Sequence, residues 1–214
     1  MSVSSRTILA RALDALVGAG ISRLVVATGY REDALRRALA EAPLEVIYRP
    51  NPDYDRTQNS VSLALCRDAL EGEDFFRLDG DVVFEPEILA RLEADGAPIA
   101  AAVDRGRMLD AEAMKVRLDP LGRGILAFGK GIPLSESGGE SIGIERISAE
   151  AGRPLFDALA RAGAAGETSL YYEDVYSRLI VDGLRSSAVD VTGLRWCEID
   201  APDDLAAAER IFST

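Results

Sequence analysis

A regular alternation of helical and β-type segments constrains this chain more than any other feature. Ile8, Leu9, Ala12, Leu13, Leu16 and Val17 recur at the spacing of one helix face, with Thr7 placed to cap the helix and Gly18 and Gly20 to end it. Residues 23–28 then read as a buried strand, 32–39 as a short helix and 44–49 as a second strand. A polar loop over residues 50–58 leads to a helix starting at Asn59 or Ser60. Residues 74–78 form a third strand, 86–92 a helix and 98–103 a fourth strand. Strands separated by helices are joined by right-handed crossovers into a parallel sheet. The expected fold class is therefore α/β, with strands around Leu24, Val46, Phe76 and Ile99 sharing one sheet.

From Ala113 the rhythm changes. Residues 114–118 and 124–129 flank Asp119-Pro-Leu-Gly-Arg123, a hairpin signal, and residues 140–147 form another strand. Helices follow at about 149–162 and 172–182, then strands at 185–191 and 196–199, then a last helix from Pro202. No repeat or long linker divides the sequence. The expectation is one domain over residues 1–214, with a mostly parallel core and a small antiparallel lobe.

Composition narrows the chemistry. A net charge of −12 argues against a general nucleic-acid binder, which needs a basic face, yet local cations still allow a nucleotide substrate. With no histidine, Ser-His-Asp and Cys-His nucleophiles, His general bases and His-ligated zinc are all excluded. Cys66 and Cys197 sit in apolar patterns and read as buried thiols. The first residues lack an apolar targeting core and no stretch is long enough to span a bilayer, so a cytoplasmic protein without membrane partners is expected.

Two acidic signatures stand out: Arg77-Leu-Asp79-Gly-Asp81-Val-Val-Phe84 and Trp196-Cys-Glu198-Ile-Asp200-Ala-Pro-Asp-Asp-Leu205. In each, a carboxylate closes a hydrophobic strand, where ligands of open α/β sheets collect. Such a pair suits Mg²⁺ held together with phosphate oxygens. The plainer reading makes Asp79 and Asp81 turn formers and Asp200 the cap of the last helix. Asp203 and Asp204 favour that helix's N-terminus through its dipole.

The ordered series Thr28-Gly29-Tyr30, Asn51-Pro52, Asn59-Ser60-Val-Ser62-Leu63, Asp79-Gly-Asp81, Met114-Lys115-Val116, Gly129-Lys130, Gly139-Glu140-Ser-Ile-Gly-Ile144, Tyr171-Tyr172-Glu173-Asp174 and Trp196-Cys-Glu198-Ile-Asp200 resembles the sugar-phosphate nucleotidyltransferase superfamily, most closely its phosphocholine cytidylyltransferase-like branch. The resemblance implies a Rossmann-like three-layer nucleotidyltransferase fold. It implies transfer of CMP from CTP, or of another NTP's nucleotidyl group, to a small phosphate or phosphonate acceptor, with Mg²⁺ as cofactor and pyrophosphate as product. It leaves homodimer formation open. Family members open with a strand, a Gly-x-Gly-x-Arg loop and a lysine, and residues 1–6 supply none of these. A shortened chain with little activity is expected on that ground, with a non-catalytic ligand-binding relative or an Asp-x-Asp glycosyltransferase as alternatives.

By the same resemblance Asp81 and Asp200 ligate the metal and Lys130 meets the acceptor's phosphate. Gly29, Tyr30, Asn59, Ser60, Ser62 and Asp79 bind the nucleotide, although simple capping accounts for Asn59 and the serines equally well. Tyr171, Tyr172, Glu173 and Trp196, with Glu140 and Glu198, contact the acceptor, their aromatic faces suiting an ammonium group. Core filling is the alternative for the aromatics, and a solvated surface lysine for Lys130. Lys115 reads as a strand residue with its head in solvent.

Overall fold

The computed structural model describes residues 1–3 and 6–213. A short antiparallel pair, β1 (Ser2–Val3) and β2 (Arg6–Thr7), precedes α1 (Ile8–Gly18). Thr7 caps α1, its hydroxyl oxygen accepting from the Ala10 amide at 3.0 Å. The alternation continues through β3 (Arg23–Thr28), α2 (Glu32–Ala38), β4 (Glu45–Pro50), α3 (Asn59–Ala64) and a single further turn, α4 (Arg67–Leu70). Then come β5 (Phe75–Leu78), β6 (Val82–Phe84), α5 (Glu87–Glu93) and β7 (Ile99–Asp104). The second half holds β8 (Val116–Leu118), β9 (Ile125–Phe128), β10 (Glu140–Ile147), α6 (Ala149–Ala164), α7 (Tyr172–Val181), β11 (Ser186–Asp190), β12 (Trp196–Glu198) and α8 (Pro202–Phe212).

Four strands form the main sheet in the order β11, β7, β10, β5. β11 runs parallel to β7, and β10 runs antiparallel to both neighbours. β10 therefore lies inside the sheet, where Ser141–Glu145 are all buried. The antiparallel periphery consists of the β8–β9 hairpin around the Asp119 turn and the β6–β12 pair. One expectation is corrected. β3 and β4 pair in parallel with each other, not with the four-stranded sheet, so Leu24 and Val46 are not hydrogen-bonded into one ladder with Phe76 and Ile99. Among the described residues, β3 and β5 each keep one edge without a strand partner.

β7 shows why three layers form. All of its side chains are buried, and alternate ones face opposite cores. Ile99, Ala101 and Val103 join Leu155, Phe156, Tyr172 and Tyr176 of α6 and α7. Ala100 and Ala102 join Leu16 of α1 and Ile88 and Leu89 of α5. A third cluster, including Val83, Cys197, Ile199 and Phe212, seats α8 on the β6–β12 pair. Both cysteines are buried and free. Among the described residues, no helix is long and apolar enough to cross a membrane.

Candidate active site

The Asp79-Gly80-Asp81 turn joins β5 to β6, and β12 pairs with β6 so that Glu198 lies opposite Val82. Beyond that pair, the Ile199 amide donates to the Asp81 carbonyl oxygen at 3.1 Å. Carboxylate oxygens of Asp81, Glu198 and Asp200 consequently lie within 4.8 Å of one another. Burial, then Asp79 and Asp200, push the Asp81 carboxyl above its ordinary range. Burial, then Asp200 and Asp81, push Glu198 up to about 7. The Oδ1 atom of Asp81 is buried without a hydrogen-bond partner. An all-oxygen donor set of crowded, partly desolvated carboxylates suits a hard divalent cation. The last helix is capped by Asp204, whose carboxylate accepts from the Ala201 amide at 2.8 Å, so capping is not the task of Asp200.

Asp79 turns away from this trio. Its Oδ1 accepts from Arg77 at 2.6 Å and its Oδ2 from the Tyr172 hydroxyl at 2.9 Å. Arg77, a buried cation on β5, also donates through Nε to Glu145 of β10 at 2.6 Å and stacks 3.7 Å from the Tyr172 ring centroid. Glu145 is fully buried, and desolvation raises it to about 8 against the pull of Arg77. Glu173, in the first turn of α7, is raised by burial to about 7, and its Oε2 has no hydrogen-bond partner. Two acidic side chains, Asp79 and Glu145, thus bond one buried guanidinium, whose charge also draws the Glu173 pKa down. Gly143 permits this packing: it adopts φ +73°, and a Cβ there would overlap the Asp79 carboxylate.

The remaining predicted residues separate into groups. Asn59 accepts from the Tyr172 amide at 3.0 Å, and the Ser60 hydroxyl donates to the Leu170 carbonyl at 2.6 Å. Ser62 accepts from Asn51 at 3.0 Å. These residues brace α3 against α7 and the preceding loop, while the α3 N-cap itself is Gln58. Gly29 lies beneath the Tyr54 ring, which a Cβ would overlap, and Tyr30 is exposed beside it.

The single aromatic pocket expected from Tyr171, Tyr172 and Trp196 is corrected. Tyr172 and Trp196 belong to separate buried clusters, and each ring is already covered by an arginine. Trp196 donates from its indole to Asp104 at 2.8 Å, with Arg107 stacked 3.8 Å from its centroid. Tyr171 alone of the three is partly exposed, with Lys130 Nζ 5.4 Å from its ring centroid. Lys130 pairs with Glu112 at 3.1 Å, and that hydrogen bond raises its pKa against the opposing pull of partial burial; the nearby Glu198 carboxylate adds to the rise. Glu140 is half-buried and raised by burial, with Arg107 and Lys115 pulling the other way. The solvated head expected for Lys115 is also corrected: the residue is 3% exposed, because its ammonium finds backbone carbonyl partners inside.

Arg77, Glu145, Arg107 and Glu112 escaped the sequence reading. For Arg77 a signal was present: it is the one charge in an otherwise apolar strand, and such a charge needs buried partners; Glu145, next to Arg146 in a strand that also holds Glu140, carries no such signal. Arg107 and Glu112 lie in a loop whose sequence carries no comparable signal.

With the geometry established, comparison with known proteins is informative. The MobA-like NTP transferase domain model matches residues 1–184. The chain is similar to the CMP-5'-(3-aminopropyl)phosphonate synthase of Streptomyces rubellomurinus, 32% identical over 228 aligned positions covering 99% of this chain and 35% of that protein. It is 29% identical to the bifunctional IPC transferase and DIPP synthase of Rubrobacter xylanophilus, across 98% of this chain and 46% of that protein. The chain thus spans less than half the length of either relative. The inositol-1-phosphate CTP transferase from T. maritima has the same fold, with a TM-score of 0.83 at 20% identity, covering 100% of this chain and 84% of that one.

Proposed function

This chain belongs to the MobA-like NTP transferase domain family, and on that premise we propose that it transfers a cytidylyl group from CTP to a small phosphonate or phosphate carrying an amine. The observation that carries this reading is the convergence of Asp81, Glu198 and Asp200, with Lys130 in electrostatic reach of Glu198. In the reaction an acceptor oxygen attacks the α-phosphorus of CTP. The bond from that phosphorus to the oxygen bridging the α- and β-phosphates breaks, and pyrophosphate leaves.

Asp81, Glu198 and Asp200 would hold Mg²⁺, which when bound supplies positive charge against the phosphate oxygens. Lys130 takes the acceptor's anionic end in exchange for Glu112. The unpartnered, buried Oε2 of Glu173 receives the ammonium, since a desolvated carboxylate oxygen without a hydrogen bond is costly and a cation donating to it relieves that cost. Tyr171 and Glu140 border the acceptor, and Gly29, Tyr30, Asn59, Ser60 and Ser62 border the nucleotide. Asp79 orients Tyr172 at the start of α7 and does not ligate metal, which disfavours the Asp-x-Asp glycosyltransferase alternative. The name of the Streptomyces relative, an aminoalkylphosphonate enzyme, supports an amine-bearing acceptor over a sugar phosphate.

Pyrophosphate release from CTP and Mg²⁺ tests the proposal, with (3-aminopropyl)phosphonate, inositol phosphate and glucose 1-phosphate as competing acceptors. The amine should lead by about tenfold or more in kcat/KM, the discrimination available to a desolvated charge contact. Release with none of the three would overturn the transferase reading, and a lead by a neutral acceptor would overturn the amine assignment.

A further inference from the structure

Of the 24 basic side chains in this chain only Lys115 and Lys130 are lysines, and the two meet. The buried ammonium of Lys115 donates to the Lys130 carbonyl oxygen at 2.8 Å, to that of Ala113 at 3.2 Å and to that of Ala111 at 3.5 Å. Three carbonyls thus meet the three donors of one ammonium. A planar guanidinium, with its donors fanned in one plane, does not converge on such a cage, which accounts for lysine in an arginine-rich chain. The backbone of Lys115 is fixed as well: its carbonyl accepts from the Gly129 amide at 2.9 Å, and it forms an isolated bridge to Glu140.

The outer ion pair is built on this inner clamp. Glu112 lies between Ala111 and Ala113, whose carbonyls Lys115 holds, and its carboxylate accepts from Lys130, whose carbonyl Lys115 also holds. One buried charge therefore fixes the backbones of both outer partners. Lys130 itself is 38% exposed and reaches over Tyr171, so it is free to exchange Glu112, 85% exposed, for a ligand anion.

We propose that Lys115 is the positioning residue of the acceptor site, setting the Lys130 ammonium through the carbonyl cage of Ala111, Ala113 and Lys130. This rests on the assignment of Lys130 to the acceptor's anion. Loss of the clamp releases Lys130 from its place beside Tyr171 while leaving the acidic trio untouched. The penalty therefore falls on acceptor binding alone.

Lys115→Met, Lys130→Ala and the double variant, assayed with CTP, Mg²⁺ and (3-aminopropyl)phosphonate, test this. Lys115→Met should raise the acceptor KM about tenfold while kcat and the CTP KM stay within about twofold. In the Lys130→Ala background the same change should add less than about twofold, because the two act in series. Lys115→Arg should fail to restore the wild-type KM. Equal losses in CTP KM and acceptor KM, or multiplicative effects of the two substitutions, would overturn the proposal. Should Lys115→Met not fold, selective ¹⁵N-lysine spectra of the wild type decide: only two ammonium signals exist, and titration with the phosphonate should move both with one saturation curve. A Lys115 signal that stays still overturns the inference. A wild type that binds the phosphonate yet releases no pyrophosphate sinks the transferase reading instead.

Discussion

The Ile199 amide and the Asp81 carbonyl oxygen are joined across 3.1 Å, one residue beyond the last ladder pair of β6 and β12. That bond makes the acidic trio a product of backbone register. Asp81 leads into β6 while Glu198 and Asp200 close and follow β12, so the antiparallel pairing brings all three together without any side chain doing so. Among the described residues none of the three carboxylates forms a salt bridge, and Asp81 Oδ1 stays without a donor.

Asp81→Asn and Asp200→Asn should each lower transfer by about a hundredfold or more, since on the proposed function charge stabilisation at the reacting phosphate is the trio's task. The fold should survive, because each change removes one of three mutually repelling charges. Thermal melts with and without Mg²⁺ check this: the ion should raise the wild-type midpoint and leave Asp81→Asn unmoved.

Arg77→Met should be among the most destabilising single changes in the molecule. It leaves the Asp79 carboxylate without its cation and the buried Glu145 carboxyl without its donor, a loss of about 3 kcal/mol or more. Urea titration should show the midpoint falling far more than for Arg56→Met, where the pair with Asp53 is exposed.

Stability should fall as pH rises. Burial raises Glu145 to about 8 and Glu173 to about 7, from 4.5 in an unfolded chain. The folded state holds protons that the unfolded chain gives up above about 4.5, so this contribution is complete below that value and is lost through about 7 to 8. Melting curves across this window should show a falling midpoint, and Glu145→Gln should flatten the slope.

Acceptor binding should run the opposite way with pH. On the proposed function the acceptor's ammonium is bound by an ionised Glu173, whose carboxyl burial raises to about 7. The KM for (3-aminopropyl)phosphonate should therefore drop as pH rises through that value, and Glu173→Gln should abolish the drop. An unchanged pH profile in that variant would remove Glu173 from the acceptor site.

Much of this was legible in the sequence, for identifiable reasons. The helix face from Ile8 to Val17, the Thr7 cap and the Asp119 hairpin are local signals, and local forces decide them. The closeness of Asp81 and Asp200 was visible because each borders a hydrophobic strand segment, Asp81 just ahead of β6 and Asp200 just after β12. What stayed hidden was decided by distant partners. Nothing around Tyr172 or Trp196 announces that Arg77 and Arg107 will cover their rings, since those contacts cross between separate strands and loops. Lys115 was misjudged for the same reason: its carbonyl partners include Lys130, reached only after the β8–β9 hairpin folds back. The placement of β10 within the main sheet depends on a topology that periodicity does not encode.

The edges of β3 and β5 that have no strand partner among the described residues carry a consequence for handling the protein. Each offers a row of amides and carbonyls, with Leu24, Val26, Phe76 and Leu78 among the side chains, that another extended segment can lengthen. Growth by such addition depends on concentration, whereas unfolding of one molecule does not. Storage life should therefore shorten steeply as the solution is concentrated, at temperatures well below melting. Ala27→Lys, at an exposed position of β3, should lengthen it without altering the melting curve.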